Sequence, residues 1–103
     1  MIGVPYVWGG ADPKVGFDCS GLTMWSWAQG GVSLPHSAAA QYGMLPHISR
    51  NQLQPGDLLF FYSPIHHVAL YVGGGMVIEA LHPGTFVLED SPDWPNYVGA
   101  ARP

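Results

Sequence analysis

Charge is what this chain has least of. Of its 103 residues, three are Lys or Arg and seven are Asp or Glu, for a formal net charge of -4. Charged side chains make up 10% of the sequence, against roughly 25% in an ordinary soluble domain. Three basic residues cannot lay down the phosphate-neutralising stripe that nucleic-acid binding requires. Nor can they form the polybasic patch that holds a protein to an anionic membrane. Cysteine is scarcer still. Cys19 stands alone, so no intramolecular disulfide forms, and the thiol is either an inert core group or a reactive one.

The charge gaps have positions. No Asp, Glu, Lys or Arg occurs from Cys19 to Ser49, and none from Leu58 to Ile78. The second gap is long enough to span a bilayer. Pro64, His66, His67 and the run Gly73-Gly74-Gly75 interrupt it, so it reads as buried strands joined by turns and not as a membrane helix. Disorder is excluded as well, because 48% of the chain is hydrophobic and 13% aromatic, enough to build a core. The length allows one domain, residues 1–103. The first residues show no basic n-region, hydrophobic stretch or cleavage site, so no signal peptide is read there.

What is present is organised in two halves. Residues 3–18 are rich in Gly, Pro and aromatics and read as an irregular lead-in. Asp18 fits the N-cap of a helix running from Cys19 to Gln29. Ser20, Thr23, Ser26 and Gln29 form one polar stripe on it, the remaining surface is apolar, and Gly30-Gly31 stops it. A shorter helix is expected near Ser37–Met44, after Pro35. Beyond the turn signal Pro55-Gly56-Asp57 the period changes to that of strands: Leu58–Tyr62, His66–Val72, Met76–Leu81, Thr85–Glu89 and Tyr97–Ala101. Helices followed by closely linked strands predict an α+β fold with an antiparallel sheet.

Chemistry gathers around Cys19. At the first turn of a helix a thiol meets backbone N–H groups and the positive end of the dipole, a setting that favours the nucleophilic thiolate. Such a nucleophile needs a base, usually His, and a group to orient that base. His66 and His67 lie in a strand, where alternation sends them to opposite faces. If Gly73-Gly74-Gly75 is a three-residue loop, Val72 pairs with Met76 and Ala69 with Glu79. Glu79 then shares a face with His67 and lies on its diagonal, within reach of long side chains. A two-residue loop would pair Val68 with Glu79 and turn the carboxylate away. Glu79 is also the only charged residue between Asp57 and Glu89, and a lone carboxylate in an apolar strand needs a partner. Other readings stay open at this level. Cys19 could be a small buried hydrophobe, and Glu79 an edge-strand charge that discourages aggregation. A zinc site is disfavoured because closely spaced ligand pairs are missing.

Several motifs occur together and in order: residues 3–10 (GVPYVWGG), 17–22 (FDCSGL), Leu34-Pro35, 53–58 (LQPGDL) with Phe60 and Phe61, and 67–73 (HVALYVG). Over essentially its whole length the chain resembles an NlpC/P60 domain, a papain-like cysteine peptidase of bacterial cell walls. Leu34-Pro35-His36-Ser37, together with an acidic third position, further resembles the mycobacterial Rip-type endopeptidases. The resemblance implies Cys19 as nucleophile, His67 as general base and Glu79 as the third member of the triad. Glu79 falls where many members carry His. Tyr6, with the Cys19 N–H, would hold the oxyanion. Asp18, Ser20 and Ser37 fall in the neighbourhood used for substrate contacts, and His36 stands where many members have Arg. The implied reaction is cleavage of peptidoglycan stem peptides at a D-γ-glutamyl–diaminopimelate type of bond, through a thioester and without metal or organic cofactor. A monomer is expected, excised from a longer secreted protein of the cell wall. Two other functions fit the same fold: a wall-binding module without catalysis, and an acyltransferase.

Overall fold

A computed structural model describes residues 2–12, 14–80 and 84–103. Two helices pack on a six-stranded antiparallel sheet, the α+β architecture read from the sequence. The strands are β1 (Ala11–Asp12), β2 (Gly16–Phe17), β3 (His47–Ile48), β4 (Leu58–Phe61), β5 (His67–Gly73), β6 (Met76–Glu79), β7 (Leu88–Asp90) and β8 (Tyr97–Ala101). The helices are α1 (Cys19–Ala28) and α2 (Ala38–Met44). β1 and β2 form a small hairpin of their own, and the large sheet has the order β3-β8-β4-β5-β6-β7. β4 and β5 therefore sit at its centre.

Both helices start where a polar side chain caps them. Asp18 has an extended backbone, and its carboxylate accepts a hydrogen bond from the Gly21 N–H at 2.7 Å. Ser37 does the same for α2, accepting from the Ala40 N–H at 3.3 Å. Such caps satisfy N–H groups that the helix itself cannot. Capping thus places Cys19 at the first position of α1.

The polar stripe of α1 is buried in its first half and reaches water only towards its end, where Ser26 is half-buried and Gln29 exposed. Ser20 and Thr23 are buried. Thr23 donates to the Gln41 Oε1 at 2.8 Å, and Gln41 Nε2 donates to the carbonyls of Ser20 and Pro35. One fully buried glutamine therefore ties α1, α2 and the link between them. A buried polar group is tolerable only when paired in this way.

The sheet is covered on both faces, which is why its strands carry almost no charge. On the helical side Leu58, Phe60 and Val68 pack under Met24 and Trp27. On the other side Leu59, Phe61, Ala69 and Val77 lie beneath Leu53, Tyr71, Trp94 and Tyr97. Full burial of each of these large side chains is worth about 1.5–3 kcal/mol.

Two strand expectations need correction. The strand expected over Thr85–Glu89 begins only at Leu88. Residues 85–87 instead pair with the lead-in: the Tyr6 N–H donates to the Thr85 carbonyl, the Gly3 N–H to the Val87 carbonyl, and the Val87 N–H to the Val4 carbonyl. The lead-in is thus stitched to the body by backbone hydrogen bonds that no local pattern announces. The β5–β6 turn also differs from expectation. Gly73 pairs with Met76, so the loop is the two residues Gly74-Gly75. Both have positive φ, 64° and 76°, as a tight hairpin turn of the I′ type requires. A bulge between Tyr71 and Gly73 absorbs one residue and restores the pairs Tyr71–Val77 and Leu70–Ile78. Odd therefore still faces odd, as the three-residue loop would have arranged. The end of the strand expected over Met76–Leu81 lies partly outside the described residues, since β6 closes at Glu79 and Leu81 is not described.

Candidate active site

An open cleft of about 640 Å³ lies where the N-terminus of α1 meets the start of β5. Tyr6, Asp18, Cys19, Ser20, Ser37 and His67 all line it. Of the residues singled out in the sequence, only Glu79 does not, and it stands behind His67.

Cys19 is half-buried at the start of α1, its sulfur 3.8 Å from the His66 carbonyl oxygen. His67 opens β5 opposite Phe61 of β4. Glu79 closes β6, and the register of that hairpin brings it level with Ala69, on the diagonal from His67. The diagonal closes: His67 Nε2 and Glu79 Oε1 are 2.8 Å apart, and both residues are buried. With Nε2 occupied, Nδ1 is the ring nitrogen left for Cys19.

The electrostatics of His67 reflect this placement. Its pKa is raised from 6.5 to about 9. Burial is the largest single influence and lowers it. Hydrogen bonds to Cys19 and Glu79, with the negative charges of both, raise it and together win. His67 is therefore held as an imidazolium across the neutral range.

Tyr6 reaches the cleft through the lead-in, where it bridges Phe17. Burial, then the charges of Cys19 and Asp18, raise its pKa. The phenol stays protonated and can donate a hydrogen bond. The Cys19 N–H, at the first helical position, has no acceptor within the helix. Two donors thus belong to residues that line the same cleft.

Asp18 does more than cap. Its Oδ2 accepts from the Gly9 N–H at 3.0 Å, and its Oδ1 lies 2.7 Å from His36 Nε2. Both carboxylate oxygens are engaged in holding the cleft wall together. Ser37 uses its hydroxyl to cap α2, and Ser20 is buried.

Several further residues of the cleft were given no role by the sequence reading. Tyr62 lies at the far wall with φ 71°, uncommon for a bulky residue. Its ring stacks on His66 at 4.5 Å, and its hydroxyl donates to Asp93 Oδ2 at 3.4 Å. His66 ends outside β5, exposed, with Nδ1 2.9 Å from the Pro64 carbonyl oxygen. Trp8 is 83% exposed at the rim. The positive φ of Tyr62 and the Asp18–His36 contact leave no local sequence signal, whereas an aromatic beside two glycines in a polar-poor lead-in was visible. His82 lies outside the described residues.

A thiol at a helix N-terminus, an imidazole on the adjoining sheet and a carboxylate on that imidazole form the arrangement used by cysteine hydrolases. Comparison with known proteins narrows the class. The NlpC/P60 family profile matches residues 3–97, and the chain belongs to the NlpC/P60 family. A probable endopeptidase of Corynebacterium glutamicum is 43% identical over 101 residues, covering 98% of this chain and 48% of that protein. A probable endopeptidase of Mycobacterium tuberculosis is 49% identical over 81 residues, 78% of this chain and 20% of that protein. The chain thus spans between a fifth and a half of the length of these relatives. Among solved structures, the NlpC/p60 domain of the peptidoglycan hydrolase SagA superposes with a TM-score of 0.88 at 42% identity, over 99% of this chain and 89% of that one. RipD of Mycobacterium tuberculosis, described as a non-catalytic NlpC/p60 domain protein adapted to peptidoglycan binding, superposes equally well at 28% identity, with a TM-score of 0.88 over 99% of this chain and 88% of that one.

Proposed function

We propose that this domain is a peptidoglycan endopeptidase that hydrolyses stem peptides at the D-γ-glutamyl–diaminopimelate type of bond through a Cys19–His67–Glu79 triad. The observation that carries this reading is the buried 2.8 Å contact between His67 and Glu79 beside Cys19 in an open cleft, in a family whose relatives are named endopeptidases.

The Cys19 thiolate attacks the γ-carbonyl carbon. The Cys19 N–H and the Tyr6 hydroxyl hold the oxyanion that forms. The His67 imidazolium gives its proton to the departing amine, leaving a thioester on Cys19. His67 then takes a proton from water, which attacks the thioester, and returns it to the sulfur as the free acid leaves. Glu79 orients the ring and stabilises its charged form throughout. Asp18, Ser20 and Ser37 border the acyl side of the substrate. No metal or organic cofactor enters these steps. The domain acts as a monomer at the cell wall, as the catalytic part of a longer secreted protein.

Incubation with purified peptidoglycan, or with a defined stem peptide, followed by mass spectrometry tests this. Cleavage products from the native chain and none from Cys19→Ala are expected; intact substrate with the native chain overturns the proposal. A second reading, a wall-binding module, draws on the likeness to RipD. It predicts retention on peptidoglycan without cleavage, and a Cys19 thiol that alkylates no faster than free cysteine.

A further inference from the structure

We infer that the cleft selects stem peptides by charge, favouring a γ-glutamyl residue whose α-carboxyl is amidated over one carrying the free acid. This rests on the endopeptidase reading and deepens it by naming the substrate class.

None of the residues lining the cleft is Lys or Arg. The three basic side chains of the whole chain are placed elsewhere. Lys14 is exposed in the turn after β1. Arg50 lies over the Trp94 ring, 3.5 Å from its centroid. Arg102 grips the buried Asp57 with two nitrogens, at 2.8 and 2.9 Å.

One acidic side chain, Asp18, lines the cleft, and Glu79 stands directly behind His67. Glu79 is bonded to His67, so that imidazolium already has a carboxylate partner. Asp18 forms part of the wall. His36 sits 2.7 Å from Asp18 Oδ1, so its ring is already engaged by that carboxylate. Asp93 stands behind the wall, bonded to Tyr62. Among the described lining residues Asp18 is the one acidic side chain, His36 and His67 are each held by a carboxylate, and His66 has its Nδ1 2.9 Å from the Pro64 carbonyl oxygen.

A γ-glutamyl residue carries its α-carboxyl only a few bonds from the carbonyl that Cys19 attacks. Ionised, that group enters a partly desolvated cleft that has the Asp18 carboxylate in its wall and no Lys or Arg to meet it, and like charges repel there. Amidation removes the charge and keeps the shape. The backbone and hydroxyl groups of the wall can hydrogen-bond an amide as readily as an acid.

The test uses the native chain and two synthetic stem peptides, L-alanyl-γ-D-glutamyl-diaminopimelate and its glutamyl α-amide, with products followed by mass spectrometry. The expected kcat/KM favours the amide by on the order of 10-fold at low ionic strength, and the ratio shrinks as salt screens the field. Ala39→Lys places a cation on an exposed, cleft-lining position of α2. It is expected to narrow the ratio several-fold by improving turnover of the free acid. Equal turnover of both peptides by the native chain, a preference for the acid, or a ratio unmoved by both salt and Ala39→Lys overturns the inference while leaving the endopeptidase reading intact. Cleavage of neither peptide overturns both.

Discussion

Glu79→Gln separates the charge of the third group from its position. The carboxylate supplies two of the four influences that raise His67 to about 9, a hydrogen bond and a Coulomb attraction. An opposite charge at this range moves a pKa by about 1–3. Without it, His67 should titrate at about 6–8. Each such step is worth about 1.4 kcal/mol of imidazolium stabilisation. Glutamine still offers Oε1 to the Nε2–H, so the tautomer is kept and the loss stays at the lower end, about 10- to 100-fold in kcat/KM. The assay is kcat/KM on a defined stem peptide across pH. The alkaline limb, set by loss of the imidazolium, should lie near 9 in the native chain and move clearly lower in the variant. Stability gives a reading free of substrate. The folded pKa of His67 lies above its unfolded value, so the stabilisation is fully present below 6.5 and is lost as pH rises through about 9. Thermal melting should therefore decline over that window in the native chain and decline less in Glu79→Gln. An alkaline limb that stays near 9 in the variant, with kcat/KM within two-fold of native, would refute the argument.

Other expectations follow from single contacts. Tyr6→Phe removes one oxyanion donor and should lower kcat by about 10²-fold with little change in KM; steady-state kinetics that differ from native by less than two-fold would remove Tyr6 from that role. Gly21→Ala puts a methyl group against the Gly10 carbonyl, backbone that cannot yield. It should cost at least about 1–3 kcal/mol and be seen in the denaturant midpoint. Gln41→Ala strands the Pro35 carbonyl and leaves the Thr23 hydroxyl with the Ser20 carbonyl alone, with an expected cost of about 1–3 kcal/mol in the same measurement.

Much of the candidate site could be read before the fold was known, because its parts are local. An N-cap is decided within four residues, so Asp18 and Gly21 suffice to put Cys19 at a helix start. Strand alternation is decided within two, so the parity of His67 and Glu79 followed once the hairpin was recognised. That the parity held despite a shorter loop shows the limit of local reasoning. The bulge at Tyr71–Gly73 that restores it sits where the Tyr71 backbone exchanges hydrogen bonds with Gly56 and Asp57, residues remote from the turn in sequence. The polar stripe of α1 was visible, but its burial against Gln41 was not, since eighteen residues separate Thr23 from its partner.

The sequence by itself determined where the helices start, which residues alternate inward along the strands, and that charge would be confined to few places. These follow from capping, side-chain periodicity and the cost of burying charge, each acting over a short window. Only the tertiary structure decided that Tyr6 stands beside Cys19, that Asp18 clasps both Gly9 and His36, and that the lead-in binds residues 85–87. Those contacts join segments far apart in the chain. Their energy comes from backbone pairing and burial, which no single window of sequence contains.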